Sequence, residues 1–310
     1  MKRDILSILD LSKEELDFVL SSASELKRLR KNGKFPDLLN KKTLGMIFEK
    51  ASTRTRISFE VGMFELGGHA LFLNPQDMQL GRGEEIRDTA RVLSRFLSAV
   101  MIRAYKHSTI VEMAKYTTIP VINGLSDLEH PCQIIADLQT MKEHFGSVKN
   151  LNVAWVGDGN NVCNSLILSS ALTGYNVNVA APKGYLPPEG IIEMAESAGA
   201  KFTFCNSPEE AVSDADVVYT DTWVSMGSEG EEKDRLCDFK GYTVSDELLK
   251  DASSRALVMH CLPAHRGDEI TDSVMEGSQS VIWDQAENRL HAQKALLVMF
   301  IGDVCDASGA

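Results

Sequence analysis

From Leu44 onward, short apolar runs alternate with stretches whose apolar residues recur at helical spacing, and this alternation constrains the fold more than any other feature. Runs at residues 44–48, 70–73, 99–103 and 121–122 read as strands, with helices between them, including one over 86–96. After a further helix from His130 through Met141, a polar turn at residues 146–150 interrupts the pattern, and the alternation then restarts. Residues 153–156, 177–180, 202–204, 217–219, 257–259 and 281–283 read as strands, and 162–172 and 191–198 as helices. Strand and helix in turn require crossover connections and hence parallel sheets. The expectation is an α/β protein of two domains, each a parallel β-sheet flanked by helices. Residues 1–146, completed by a C-terminal helix at 288–310, form the first domain, and 147–287 the second. Ligands of open parallel sheets gather at the carboxyl ends of the strands, which places the active site in the interdomain cleft.

With 310 residues, 44% of them hydrophobic, the chain can build two cores of this kind. An opening helix is marked by the S-x-x-E box of Ser12 and Glu15, and it stops at Asn32-Gly33. Residues 1–4 are read as leading straight into that helix, without the apolar core of a signal peptide. The formal net charge of -12 argues against a nucleic acid or an anionic membrane surface as partner, so an anionic substrate needs local positive charge. The six cysteines are scattered without a C-x-x-C pair, which suits a reduced cytoplasm and gives no structural zinc.

That local charge is densest in Ser52-Thr53-Arg54-Thr55-Arg56, at a strand-to-helix junction. The first turn of a helix offers free N–H groups and the positive end of its dipole, and arginine grips phosphate oxygens with a planar fork. A cap needs one hydroxyl and no cation, so three hydroxyls with two guanidiniums point to an anion. Arg103 ends a strand and faces the same end of the sheet. His130 and Gln133 open a helix one turn apart, a pair able to hold a planar amide.

The second half carries a different set. Residues 157–161, Gly-Asp-Gly-Asn-Asn, follow a strand and imitate a dinucleotide turn, but Val162 replaces the third glycine and no acid ends the next strand. Tandem asparagines suit a small polar ligand, such as a carboxylate. Asp221, four residues before Ser225, suits an ammonium. His260, Cys261 and His265 lack the further ligand a zinc set requires, so no metal and no cofactor are expected.

Together these residues resemble the aspartate/ornithine carbamoyltransferase family. The resemblance spans essentially the whole chain, from Phe48-Glu49-Lys50 to residues 284–289, Asp-Gln-Ala-Glu-Asn-Arg. S-T-R-T-R and H-P-x-Q mark the family, while D-x-x-x-S-M-G (221–227) and H-C-L-P (260–263) point to its ornithine branch. The resemblance implies transfer of the carbamoyl group of carbamoyl phosphate to the δ-amino group of ornithine, giving citrulline and phosphate, in arginine biosynthesis or a urea-cycle-type step. It implies that Ser52, Thr53, Arg54, Thr55 and Arg103 hold the phosphate and carbonyl, and that His130 joins them at the carbonyl oxygen. Gln133, the Leu262 carbonyl and Arg289 then hold the carbamoyl NH2, and Gln79 reaches the phosphate of a neighbouring subunit in a homotrimer or a multiple of trimers. Asn161 and the Met226 backbone take the ornithine carboxylate, Asp221 and Ser225 its α-amino group, and Cys261 lies near the δ-amine. The aspartate branch usually carries a lysine in the loop held here by residues 79–82, and none is present. Ser228 departs from the glutamine that often follows S-M-G. Another amine acceptor (aspartate, N-acetylornithine or putrescine), an oxidoreductase using a dinucleotide, and a binder of phosphate ligands without turnover are the competing expectations.

Overall fold

The computed structural model describes residues 2–224 and 229–302. Nine strands and eleven α-helices lie among the described residues. The strands are β1 (Thr43–Phe48), β2 (His69–Leu73), β3 (Ala99–Arg103), β4 (Val121–Leu125), β5 (Asn152–Val156), β6 (Asn176–Ala180), β7 (Phe202–Phe204), β8 (Val217–Thr220) and β9 (Leu257–His260). Helices α1 (Lys13–Lys31), α2 (Thr53–Glu65), α3 (Ile86–Leu93), α4 (His107–Tyr116) and α5 (Pro131–Phe145) belong to the first half of the chain. They are followed by α6 (Asn161–Thr173), α7 (Glu189–Ser197), α8 (Pro208–Val212), α9 (Glu232–Asp238), α10 (Asp272–Met275) and α11 (Ile282–Ile301).

The chain divides into two units, Met1–Gln139 with Glu287–Ala310, and Thr140–Ala286. Each holds one wholly parallel sheet, in the orders β2-β1-β3-β4 and β7-β6-β5-β8-β9. In the first unit one apolar layer joins Ile47, Val100, Ile102 and Val121 of the sheet to Ala90 of α3 and Ile110 and Met113 of α4. In the second, Ala154, Val156, Val218 and Val258 pack with Val212, Val274 and Ile282. Strands buried on both faces read as unbroken apolar runs, which is why the sequence displays them so plainly.

The strand orders decide where chemistry can sit. In the first sheet the chain leaves β1 for β2 on one side and then crosses to β3 on the other, so the turns after β1 and β3 part and leave a crevice. The second sheet does the same between β5 and β8. Both are topological switch points, where open α/β sheets bind ligands.

Local signals are mostly honoured. Ser12 caps α1 with the reciprocal bonds of a capping box, Glu15 N to Ser12 Oγ (3.2 Å) and Ser12 N to Glu15 Oε2 (2.8 Å), and Asn32 ends the helix. Two expectations fail. Ile5 does not run into a helix but bridges Ile122 in parallel, donating to Val121 O and accepting from Asn123 N, and so lengthens the sheet beyond β4. Residues 281–283 are not a strand: Ser280 makes one bridge to Val258, and α11 starts at Ile282. A short apolar run at a helix start has the composition of a strand, and periodicity cannot separate the two.

The part of α11 that belongs to the first unit is fastened by buried polar groups as well as by Ala292, Ala295, Leu296 and Leu297. Lys294 Nζ donates to Glu65 Oε2 at 2.8 Å, Arg30 Nε takes Glu65 Oε1 at 2.8 Å, and Lys27 Nζ donates to Asn288 Oδ1 at 2.8 Å. A buried ion pair adds little net stability, but removing one partner strands the other. Lys294→Ala is therefore expected to lower the unfolding free energy by about 3 kcal/mol, read from urea titrations; an unchanged midpoint would remove this fastening role.

Candidate active site

In the first unit, the turns following β1, β3 and β4 supply a cluster of cations around one histidine. Ser52 is the N-cap of α2, its Oγ accepting from Thr55 N at 3.3 Å, so one of the three hydroxyls serves the helix itself. Thr53 is exposed, Arg54 half-buried and Thr55 buried. Arg103 is the last residue of β3, in register with Phe48 at the end of β1, and this register brings it beside the Ser52 junction. His130 precedes α5 and is 4% exposed.

Burial pushes the His130 pKa well below the ordinary imidazole value, and the charges of Arg289, Arg103 and Arg54 push it further the same way. The imidazole is therefore neutral at pH 7 and meets a ligand as a hydrogen-bonding group. Arg289, on α11, reaches into the cluster with both ends of its fork: Nη2 donates to Thr55 Oγ1 at 3.0 Å and Nη1 to Gln133 Oε1 at 2.5 Å. The other end of Gln133 donates to Asp137 Oδ1 at 2.8 Å. Buried Cys132 sits between these residues in sequence, yet its thiol faces Asn123 O and burial raises its pKa to about 12, so it is inert.

Arg56 is not part of the cluster. It pairs with Glu60 at 2.9 Å and lies 3.9 Å from the centre of the Phe72 ring, because one further residue along a helix turns a side chain by about 100°. Gln79 lies in the exposed loop between β2 and α3, at the head of a 3-10 turn of Leu80–Arg82.

In the second unit, the turns following β5, β8 and β9 supply an acidic and thiol cluster. Asn160 caps α6, its Oδ1 accepting from Val162 N (2.9 Å) and Cys163 N (3.2 Å), while its Nδ2 donates to Asp221 Oδ2 at 2.8 Å. Cys261 Sγ donates to the other oxygen, Asp221 Oδ1, at 2.8 Å. Asp221, 7% exposed at the end of β8, is thus held from both sides. Gly159 permits the tight turn ahead of α6: a Cβ there would lie 2.4 Å from Pro187 N. Asn161 is the first residue of α6 and half-buried. Ser225 and Met226 lie outside the described residues.

His260 and Glu269 are buried together. The Leu262 N–H donates to His260 Nδ1 at 2.9 Å, which places the ring proton on Nε2, 3.0 Å from Glu269 Oε1. Glu269 also accepts from His265 N at 2.6 Å, and Leu262 between them adopts φ +60°. Asp221, His260 and Cys261 bring three ligand atoms within 4.8 Å of one another, but each side chain is already engaged in the hydrogen bonds described. His265 turns to Thr222 Oγ1 at 3.0 Å and is not in that group.

Sequence patterns did not single out Asp137, Glu269 or Arg235, and of the tandem asparagines it is Asn160 that caps α6 and donates to Asp221. Arg235 Nη1 donates to Asp158 Oδ2 at 2.9 Å and to Trp223 O at 2.8 Å, joining the turn after β5 to the segment after β8. Burial raises the Asp158 pKa, and the Arg235 charge opposes that shift. Only for Asp137 was a signal present, its i+4 spacing from Gln133 on a helix.

Comparison with known proteins gives the family. Residues 3–143 match the family model described as aspartate/ornithine carbamoyltransferase, carbamoyl-P binding domain, and residues 149–300 its Asp/Orn binding domain. A relative from Methanoculleus marisnigri named ornithine carbamoyltransferase is 64% identical, covering 97% of each chain. One from Pyrococcus furiosus, named ornithine carbamoyltransferase, anabolic, is 52% identical over 97% of this chain and 97% of its own. The solved structure of an ornithine carbamoyltransferase from Pyrococcus furiosus superposes with a TM-score of 0.93 at 51% identity, covering 97% of this chain and 98% of that one. The chain belongs to the aspartate/ornithine carbamoyltransferase family.

The neutral state of His130 sets a pH dependence of stability. An unfolded histidine titrates near pH 6.5, and the folded value lies well below it. Below pH 6.5 the unfolded chain takes up a proton that the folded one refuses, so stability is full above that pH and falls as the pH drops. His291, whose pKa burial lowers to about 4, acts in the same direction. Urea midpoints should decline from pH 7 to pH 5, and His130→Asn should flatten the decline; equal slopes would contradict a buried neutral His130.

Proposed function

We propose that this protein transfers the carbamoyl group of carbamoyl phosphate to the δ-amino group of L-ornithine, releasing L-citrulline and phosphate. The observation that carries this reading is the gathering of Arg54, Arg103 and Arg289 about buried, neutral His130, with Thr55 and Gln133 on the fork of Arg289. Such a site fits a ligand with a doubly charged phosphate at one end and a planar amide at the other.

In this reading Ser52, Thr53, Arg54, Thr55 and Arg103 hold the phosphate, the last two with His130 also meet the carbonyl oxygen, and Gln133 accepts from the carbamoyl NH2 with Arg289 beside it. As the amine attacks, negative charge grows on the carbonyl oxygen, and donors already aimed at it lower the barrier. A neutral imidazole suits this task because it donates without adding a further charge to the cluster. In the second unit, Asp221 and Ser225 take the α-amino group of ornithine, and Asn161 and the Met226 backbone its carboxylate. Asp221 keeps acceptor capacity beyond its bonds to Asn160 and Cys261, since a carboxylate offers about four lone-pair sites. The δ-amine, with an unperturbed pKa of about 10.4, arrives protonated; Cys261 and Asp221 orient its neutral form, and the departing phosphate accepts the proton.

The first unit is read as the carbamoyl phosphate domain and the second as the ornithine domain, working in arginine biosynthesis in the cytoplasm. A homotrimer, or a multiple of trimers, is supported by the apolar surface left at Ile57 and Phe64 of α2 and Leu71 and Phe72 of the edge strand β2, with the exposed Gln79 loop following that strand. Gln79 would reach the phosphate in a neighbouring copy. No described helix is long and apolar enough to cross a membrane.

One assay decides between acceptors. Carbamoyl phosphate is supplied with ornithine, then aspartate, N-acetylornithine or putrescine, and the carbamoylated product is measured with phosphate; no citrulline from ornithine would remove the proposal. Two variants separate the half-reactions. Arg103→Gln is expected to lower kcat by about 10²–10³, while Asp221→Asn should raise the KM for ornithine by roughly tenfold or more and leave that for carbamoyl phosphate near its wild-type value.

A further inference from the structure

We infer that Asp137 is a positioning residue that fixes the polarity of the Gln133 side chain and thereby makes the site demand an NH2 group on its acyl phosphate. The inference rests on the carbamoyl phosphate reading above and extends it to selection among acyl phosphates.

A glutamine amide is nearly symmetric in shape but not in chemistry: one end only accepts hydrogen bonds and the other only donates. Which end a ligand meets is therefore set by the neighbours of that amide. Asp137, a full helical turn beyond Gln133 on α5 and wholly buried, accepts from Gln133 Nε2 at 2.8 Å. Arg289 donates from Nη1 to Gln133 Oε1, while its Nη2 holds Thr55 Oγ1. A carboxylate can only accept and a guanidinium can only donate, so both ends of the amide specify one orientation. Reversing it would set oxygen against carboxylate and N–H against guanidinium, both in a buried environment where such mismatches are costly.

The locked orientation turns the Gln133 carbonyl oxygen, and not its NH2, toward Arg289, whose other end holds Thr55. An acceptor at that place binds a ligand that donates. Carbamoyl phosphate carries an NH2 beside its carbonyl and satisfies it. Acetyl phosphate, which differs by a methyl in place of that NH2, leaves the oxygen facing a group that cannot donate. A site built to hydrogen-bond a ligand NH2 disfavours an analogue lacking it, because the second lone pair of that oxygen, beside the one Arg289 fills, is left without a donor. Asp137 touches no part of the ligand; it acts through Gln133.

Asp137→Asn is nearly isosteric but presents a donor as well as an acceptor, so one of the two locks on the amide is removed and Arg289 alone opposes its reversal. Affinities for carbamoyl phosphate, acetyl phosphate and inorganic phosphate are measured by calorimetry on the wild type and the variant. In the wild type, acetyl phosphate is expected to bind about as weakly as inorganic phosphate and at least tenfold more weakly than carbamoyl phosphate. The variant should lose roughly tenfold to a hundredfold in carbamoyl phosphate affinity and keep its affinity for inorganic phosphate. A general loosening of the fold would weaken all three ligands alike, and that result would overturn the inference, as would an unchanged preference. If the variant does not fold, the wild type still tests the point: acetyl phosphate binding as tightly as carbamoyl phosphate would refute the selection. A wild type that binds inorganic phosphate but not carbamoyl phosphate would instead overturn the underlying reading.

Discussion

The first unit is organised by an electrostatic constraint, a histidine kept neutral first by its burial and further by the charges of three guanidinium groups. His130, Arg54, Arg103 and Arg289 come from the start of α5, the start of α2, the end of β3 and the middle of α11. Holding like charges together costs energy, which an anion entering among them would return. The rest of the unit supplies the rigidity this requires: the β1–β3 register sets Arg103 beside the Ser52 junction, and the Lys294–Glu65–Arg30 contact fastens the helix that carries Arg289.

The second unit repeats the topological device with the opposite chemistry. The turns after β5 and β8 again flank a switch point, but what they bring together is Asp221, with Asn160 and Cys261 each donating to one of its oxygens. Glu269 and His260 hold the adjoining turn in shape, with Leu262 in a left-handed backbone conformation that a β-carbon disfavours. One arrangement of parallel strands thus gathers guanidiniums in one unit and a carboxylate, an amide and a thiol in the other. The difference lies wholly in the residues at the strand ends, as expected when function is carried by sites grafted on a common fold.

Much of this was legible in the sequence because local rules are strict in parallel α/β structures. Ser12 and Glu15 announced α1, and the apolar runs of β1, β3, β5, β8 and β9 announced strands buried on both faces. S-T-R-T-R announced a strand-to-helix junction capped by Ser52, though Arg56 was misleading: a linear motif does not say which face of the helix each residue takes, and Arg56 turns to Glu60 and Phe72. Residues 281–283 misled for a different reason: a short apolar run carries too few residues to distinguish a helix start from a strand.

By itself the sequence determined the fold class, the two-sheet organisation and the chemical types at each strand end, because these follow from hydrophobic period, capping and charge within a few residues of one another. Only the tertiary structure decided which of those groups meet. Arg289 reaches Thr55 and Gln133 across 234 and 156 residues of chain, and Asn160 and Cys261 reach Asp221 across 61 and 40. Such pairings are set by strand order and side-chain direction, which no local spacing encodes, and with them the neutral charge of His130 and the orientation of Gln133.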